Sequence, residues 1–135
     1  MKKNILTESE PELNILPKPE PNILSELNTL LTDLNVPFET GLYGGVPPDE
    51  YCVIVPLSDS FELFGGDMPS NEIQEARLSI YCKKNYYPLR NRLTKALLKS
   101  DFTITDRRYI GYESDTKYHH YAIEVAKNYT YETEE

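Results

Sequence analysis

FTITDRRYIGYESDTKYHHYAIEVAK, residues 102–127, reads as two strand patterns joined by a turn, a hairpin that the upstream segments are expected to pack around. Successive side chains on a strand point to opposite faces, so Phe102, Ile104, Asp106, Arg108 and Ile110 would share one side of the first strand, with Thr103, Thr105, Arg107, Tyr109 and Gly111 on the other. Neither set is apolar throughout, which predicts a bulge or bend near Asp106. The return strand alternates cleanly, setting His119, Tyr121, Ile123 and Val125 against Tyr118, His120, Ala122 and Glu124. Between the two strands, Glu113, Ser114, Asp115 and Thr116 supply the polar residues of a hairpin tip. Two strands are not stable alone in water, so the pair needs a larger sheet and a covering helix.

The chain has 135 residues, 39% of them hydrophobic, which fits one globular domain with a core. No apolar run approaches the ~20 residues of a membrane span, and the opening MKKNILTESEPE is too acidic for a signal peptide, so synthesis in the cytosol without membrane insertion is expected. Cys52 and Cys82 lack metal-site spacing and are expected to be reduced core thiols. The net charge of -8 is unevenly spread. Residues 19–76 hold eleven acids and no Lys or Arg, whereas residues 77–127 hold eleven bases against five acids. Solvated charge on both halves is one reading. The other is head-to-tail association of opposite faces, which closes into a ring when the rotation permits.

Residues 1–21 read as an arm; Asn-Ile-Leu recurs at 4–6 and 14–16 within it and at 22–24 just after it, between glutamates and Pro11, Pro17, Pro19 and Pro21. That proline density predicts an extended or disordered segment. It is either a solvated tail or an arm that docks on a neighbouring subunit through Ile5, Leu6, Ile15 and Leu16. A helix follows at 23–34, with Leu24, Leu27, Leu30, Leu31 and Leu34 on one face and Asn22 as its cap. A strand is expected at 36–43, then a glycine- and proline-rich loop at 44–48. The next strand, 51–57, is so continuously apolar that a central position covered on both sides is expected. Residues 58–71 are expected to extend that strand briefly and then form an acidic loop. A strand at 72–83 points Ala76, Leu78, Ile80 and Cys82 inward and Arg77, Ser79 and Tyr81 outward. A helix at 87–100 carries Leu89, Leu93, Ala96 and Leu97 on one side and Arg90, Arg92, Lys95 and Lys99 on the other. Residues 128–135 read as an acidic tail.

Side-chain chemistry suggests no catalytic centre. His119 and His120 are adjacent on a strand and face opposite ways, so they cannot share a metal from that strand. Ser58, Ser60 and the cysteines lack a positioned base, and the two glycines of the 44–48 loop match no phosphate-binding pattern. No cofactor or metal is expected. The basic helix lacks the aromatic interleaving of a nucleic-acid surface. Eleven tyrosines and no tryptophan suit partly wet subunit contacts.

Three stretches, EARLSIYC (75–82), LTKALLKSDFTITDRRYIGYESDT (93–116) and YHHYAIEVAK (118–127), resemble small proteins encoded among the tail genes of Firmicutes phages and prophages. With the element order α-β-β-β-α-β-β, the chain resembles the tail terminator, or tail completion, proteins of long-tailed bacteriophages. The resemblance covers about residues 23–130 and leaves the arm without a counterpart. It implies an α+β domain at 22–130, with a mostly antiparallel sheet of four or five strands packed by two helices, between the arm at 1–21 and an acidic tail at 131–135. It also implies a homo-oligomeric ring, usually a hexamer, that caps the tail tube and joins it to the connector or stopper protein of the head, with virion localisation and no enzyme activity. Acidic Asp59, Glu62 and Asp67 in a loop facing the channel would let DNA pass without sticking. Arg107 and Arg108 are candidate subunit contacts beside the arm. A head-side adaptor or stopper of the same connector, and a small cytosolic metal-dependent enzyme with clustered acids, are the alternative readings.

Overall fold

The leucines of helix α1 (Ile23–Asp33) recur at helical spacing, which buries Ile23, Leu27, Leu30 and Leu31 on one side. Asn22 caps the helix: its Oδ1 accepts the Ser25 N–H at 2.8 Å. Asn35 takes the left-handed conformation, φ 59°, just past its end. The computed structural model describes residues 21–62 and 71–130. The Ile5, Leu6, Ile15 and Leu16 contacts, the Asp67 site and the 131–135 tail lie outside the described residues.

Five strands follow in the α+β order expected: β1 (Phe38–Thr40), β2 (Glu50–Glu62), β3 (Asn71–Cys82), then helix α2 (Tyr87–Lys99), β4 (Thr103–Glu113) and β5 (Tyr118–Thr130). They make one sheet in the order β1-β2-β3-β5-β4, antiparallel except for the parallel β1–β2 pair. Both helices lie on one face. There Cys52, Ile54, Ala76, Leu78, Ile80, Cys82, Ile123 and Val125 meet Leu27 and Leu31 of α1 and Leu89, Leu93 and Leu97 of α2. The inward set read for β3 is therefore the floor of the core. Ala96, expected in the α2 stripe, packs against that core while staying partly exposed.

Polar ties hold the helices in register with the sheet. Gln74, buried on the helix side of β3, accepts the Ile23 N–H at 2.7 Å, satisfying a donor that the first turn of a helix leaves unpaired. Lys127 donates to Glu26 at 2.7 Å and to the Ser100 carbonyl at 2.8 Å, joining β5, α1 and the end of α2. Arg92 of α2 donates to the Leu34 carbonyl at 2.6 Å, just beyond α1.

Three features differ from the sequence expectation. β1 has three residues instead of the stretch 36–43, because the chain turns away at Gly41, whose φ of +86° suits glycine, once the Gly41 N–H has bonded the Ile54 carbonyl at 2.8 Å. β2 is not the central strand; β3 is. β2's apolar run is explained by cover on both faces, Cys52 and Ile54 beneath the helices and Tyr51 and Val53 beneath rings on the other side. β5 continues to Thr130, so residues 128–130 belong to the sheet: Tyr129 pairs with Glu72 and its ring is buried in the core.

The bulge expected near Asp106 is present between Ile104 and Asp106, with a second between Tyr109 and Gly111. Each moves the following residues to the opposite face. Ile104, Arg107 and Tyr109 therefore sit opposite Val125, Ile123 and Tyr121 on the helix side, and the single face drawn through Phe102, Asp106 and Ile110 does not form. No helix among the described residues is long and apolar enough to cross a membrane.

Leu93 is wholly buried and Leu98, in the same helix, is 57% exposed. Leu93→Ala is expected to lower the unfolding free energy by about 2–5 kcal/mol and Leu98→Ala by less than about 0.5 kcal/mol, read from urea midpoints at constant slope.

Candidate functional site

The sheet face away from the helices is not bare. Cross-strand register places Tyr51 of β2 opposite Tyr81 of β3, and Tyr81 opposite His120 of β5. Their rings stack in a row: Tyr51 and Tyr81 have centroids 4.9 Å apart at 13°, and Tyr81 and His120 4.3 Å apart at 20°. Tyr43, from the loop after β1, tilts onto Tyr51 at 4.8 Å and ends the row. Tyr118 stands edge-on to Tyr51 at 5.3 Å, and its hydroxyl donates to the Pro48 carbonyl at 2.7 Å, tying that loop down. Lys83 Nζ lies 5.1 Å from the centre of the Tyr118 ring.

Beside the row runs a shallow groove of about 190 Å³. Val53, Val55 and Ser79 form its floor, Tyr43, Tyr51 and Tyr81 one wall, and Gly41, Leu42 and Pro47 the rim. Small-molecule sites usually enclose ~300–1,000 Å³, so the volume and shape suit a strip of polypeptide better. Leu42 is 81% exposed and Val46, further along the same loop, 95%. Past the groove the face becomes charged: Arg77 donates to Glu124 Oε2 through two nitrogens, at 2.7 and 3.1 Å.

A second aromatic group lies on the helix side at the same end of the sheet. Tyr86 stacks on Tyr121 at 5.0 Å and on Tyr109 at 5.4 Å, and Arg90 lies 4.2 Å over the Tyr87 ring. The Tyr109 hydroxyl and His119 Nδ1 are 3.0 Å apart. Tyr87, Tyr109, Ile110 and Tyr112 are substantially exposed there. Nine of the eleven tyrosines thus gather at one end of the molecule, on both faces.

Asp59 and Glu62, expected in an acidic loop, are strand residues of β2. Asp59 pairs with Gln74, which faces the helices, whereas Glu62 pairs with Asn71, three positions away and so on the other face. They do not form one cluster. Arg107 and Arg108 lie on the outer strand β4 and also point apart. Arg107 reaches Thr94 of α2 at 3.3 Å, and Arg108 reaches Asp106 at 3.5 Å. His119 and His120 face opposite ways, as read. Among the described residues no group of three His, Cys, Asp or Glu is placed to hold a metal ion. Cys52 and Cys82 are buried free thiols; burial pushes the Cys82 thiol up to about 11 and the Cys52 thiol higher still, which disfavours the nucleophilic thiolate.

The tyrosine surplus was legible, and Tyr81 was read as outward-facing. The row itself was not, because a ladder of rings depends on which residues three strands place side by side. Comparison with protein-family models and with curated proteins finds no match for this chain.

Burial pushes the Tyr51 phenol up to about 12, with the neighbouring Tyr81 and Tyr118 adding to the shift. Burial lowers the His120 pKa below its ordinary value, outweighing the opposing pull of Glu113, while Arg77 acts in the same direction as burial. A lowered histidine pKa means that the fold holds the neutral ring, so its contribution to stability is complete above about pH 6.5 and is lost as the pH falls through the folded-state value. Urea midpoints across pH 5–8 are expected to fall on the acid side, and His120→Phe is expected to flatten that slope while leaving the alkaline side unchanged.

Proposed function

We propose that this chain is a structural virion protein of a long-tailed bacteriophage, an oligomeric ring that caps the tail tube and joins it to the head connector. The observation that carries this reading is the tyrosine-clad sheet face, with a second exposed aromatic group on the other side of the same end. Tyrosine supplies large, rigid contact area at little entropic cost and keeps a polar tip for a partly wet interface.

The two sides of the sheet support a head-to-tail arrangement. β1 pairs with Cys52, Val53 and Ile54, and beyond that pairing β2 carries Asp59 and Glu62 on this side of the sheet. At the opposite side, β4 carries Arg107 and Arg108. An acidic edge and a basic edge on one protomer are complementary between copies and not within one, which is the condition for a heterologous interface that closes into a ring. Six copies is the number the tail-terminator resemblance implies. In this reading the protein works by binding and shape, takes no cofactor, and lets DNA pass without specific contact.

Native mass spectrometry of the purified protein is expected to give a multiple of the 15.6 kDa protomer, six copies in the ring, and addition of the tail tube protein to give a heavier complex. The multiple is expected to decrease as salt is raised, since exposed charges farther apart than about 8–10 Å are screened at ~0.1–0.15 M salt. Binding to the portal assembly with none to the tube would move the protein to the head side. A monomer at every concentration, in the presence of both partners, would overturn the reading.

A further inference from the structure

The groove beside the tyrosine row and the proline-spaced end of the arm have matching chemistry. Pro17, Pro19 and Pro21 alternate with Lys18 and Glu20 after Leu16. Such a sequence favours the polyproline II conformation, which is extended and has no internal hydrogen bonds, so docking it costs little ordering entropy. Segments of this kind bind where aromatic rings present flat apolar walls and polar tips to the bare carbonyls. Tyr43, Tyr51 and Tyr81 supply that wall, over a floor of Val53 and Val55.

Chain length decides which copy of the arm is received. The arm joins the domain at Asn22, next to Ile23, whose N–H is bonded to Gln74 on the helix side of β3. The groove runs from the level of Val55, which pairs with Arg77, to Tyr81, so it lies three to seven positions from Gln74, about 10–23 Å along the sheet at ~3.3 Å per residue. Six residues from Asn22 back to Leu16 span at most about 22 Å when fully extended, and the path to the groove must also round an edge to the other face. Residues 16–21 cannot together fill the groove of their own protomer while Asn22 stays on the helix side.

We infer that the groove receives residues 16–21 of the arm of a second copy. This rests on the self-association proposed above and names its docking site. Because arm and groove are different surfaces, each copy gives one and receives one, which permits the contact to propagate head to tail.

The test uses the full chain with a photoreactive benzophenone amino acid in place of Leu16, mixed with ¹⁵N-labelled unmodified copies, irradiated and mapped by mass spectrometry. Mixed-isotope cross-links landing within residues 41–55 or 77–83 are expected. Cross-links confined to one copy, links to the helix side, or none at all would overturn the inference. In parallel, the double variant Pro17→Ser, Pro19→Ser changes no described residue and is expected to weaken self-association at least tenfold and to raise the nitration rate of Tyr43; unchanged values for both would count against it. Copies that assemble but cross-link elsewhere remove this docking site and leave the ring standing. Cross-links into the groove by a protein with no affinity for tube or connector keep the docking site and remove the tail role.

Discussion

Strict alternation along β3 is the constraint on which the rest of the molecule depends. Ala76, Leu78, Ile80 and Cys82 are all essentially without solvent exposure beneath the helices, and Arg77, Ser79 and Tyr81 look the other way. A slip of one residue would exchange the two sets, putting a guanidinium and a phenol into the core and an apolar row into water. β3 lies in the middle of the sheet, so its register also dictates that of β2 and β5, and through β5 that of β4. Gln74 extends the same control to the helices, because its side chain fixes where α1 begins.

The register that buries the aliphatic residues on one side also produces the ring row on the other. Tyr51, Tyr81 and His120 stack because Ile80 must pair with Cys52 on one flank and Tyr121 on the other, which brings their outward neighbours into line. The fold and the candidate surface are thus two outcomes of a single pairing. Stacked rings at 4.3–4.9 Å give the open face stiffness without a second helical layer. Tyr118 locks the 41–49 loop over it through the Pro48 carbonyl, which holds the groove rim in place.

Charge is arranged on a larger scale than any ion pair. Arg77 with Glu124 and Lys127 with Glu26 are local pairs that join strands or layers. The separation of acids from bases between the first and second halves of the chain becomes, in three dimensions, a difference between the β2 and β4 sides of the sheet. Exposed charges at such distances add little to the stability of the folded chain, but they shape the field that any approaching molecule meets.

The sequence by itself determined the element order, the inward faces of both helices and of β3, the alternating faces of β5, the hairpin with its bulge, and the opposite orientation of the two histidines. All of these follow from periodicity over neighbouring residues and from local turn chemistry. Tertiary structure alone decided that β1 is a three-residue parallel strand, that β3 and not β2 is central, that Tyr129 belongs to the core, and that Asp59 and Glu62 part to opposite faces. It alone assembled the tyrosine row and its groove, from residues 43, 51, 81, 118 and 120. Those features depend on long-range register, and register is set by the summed burial of whole strands against one another, a quantity that no short stretch of sequence contains.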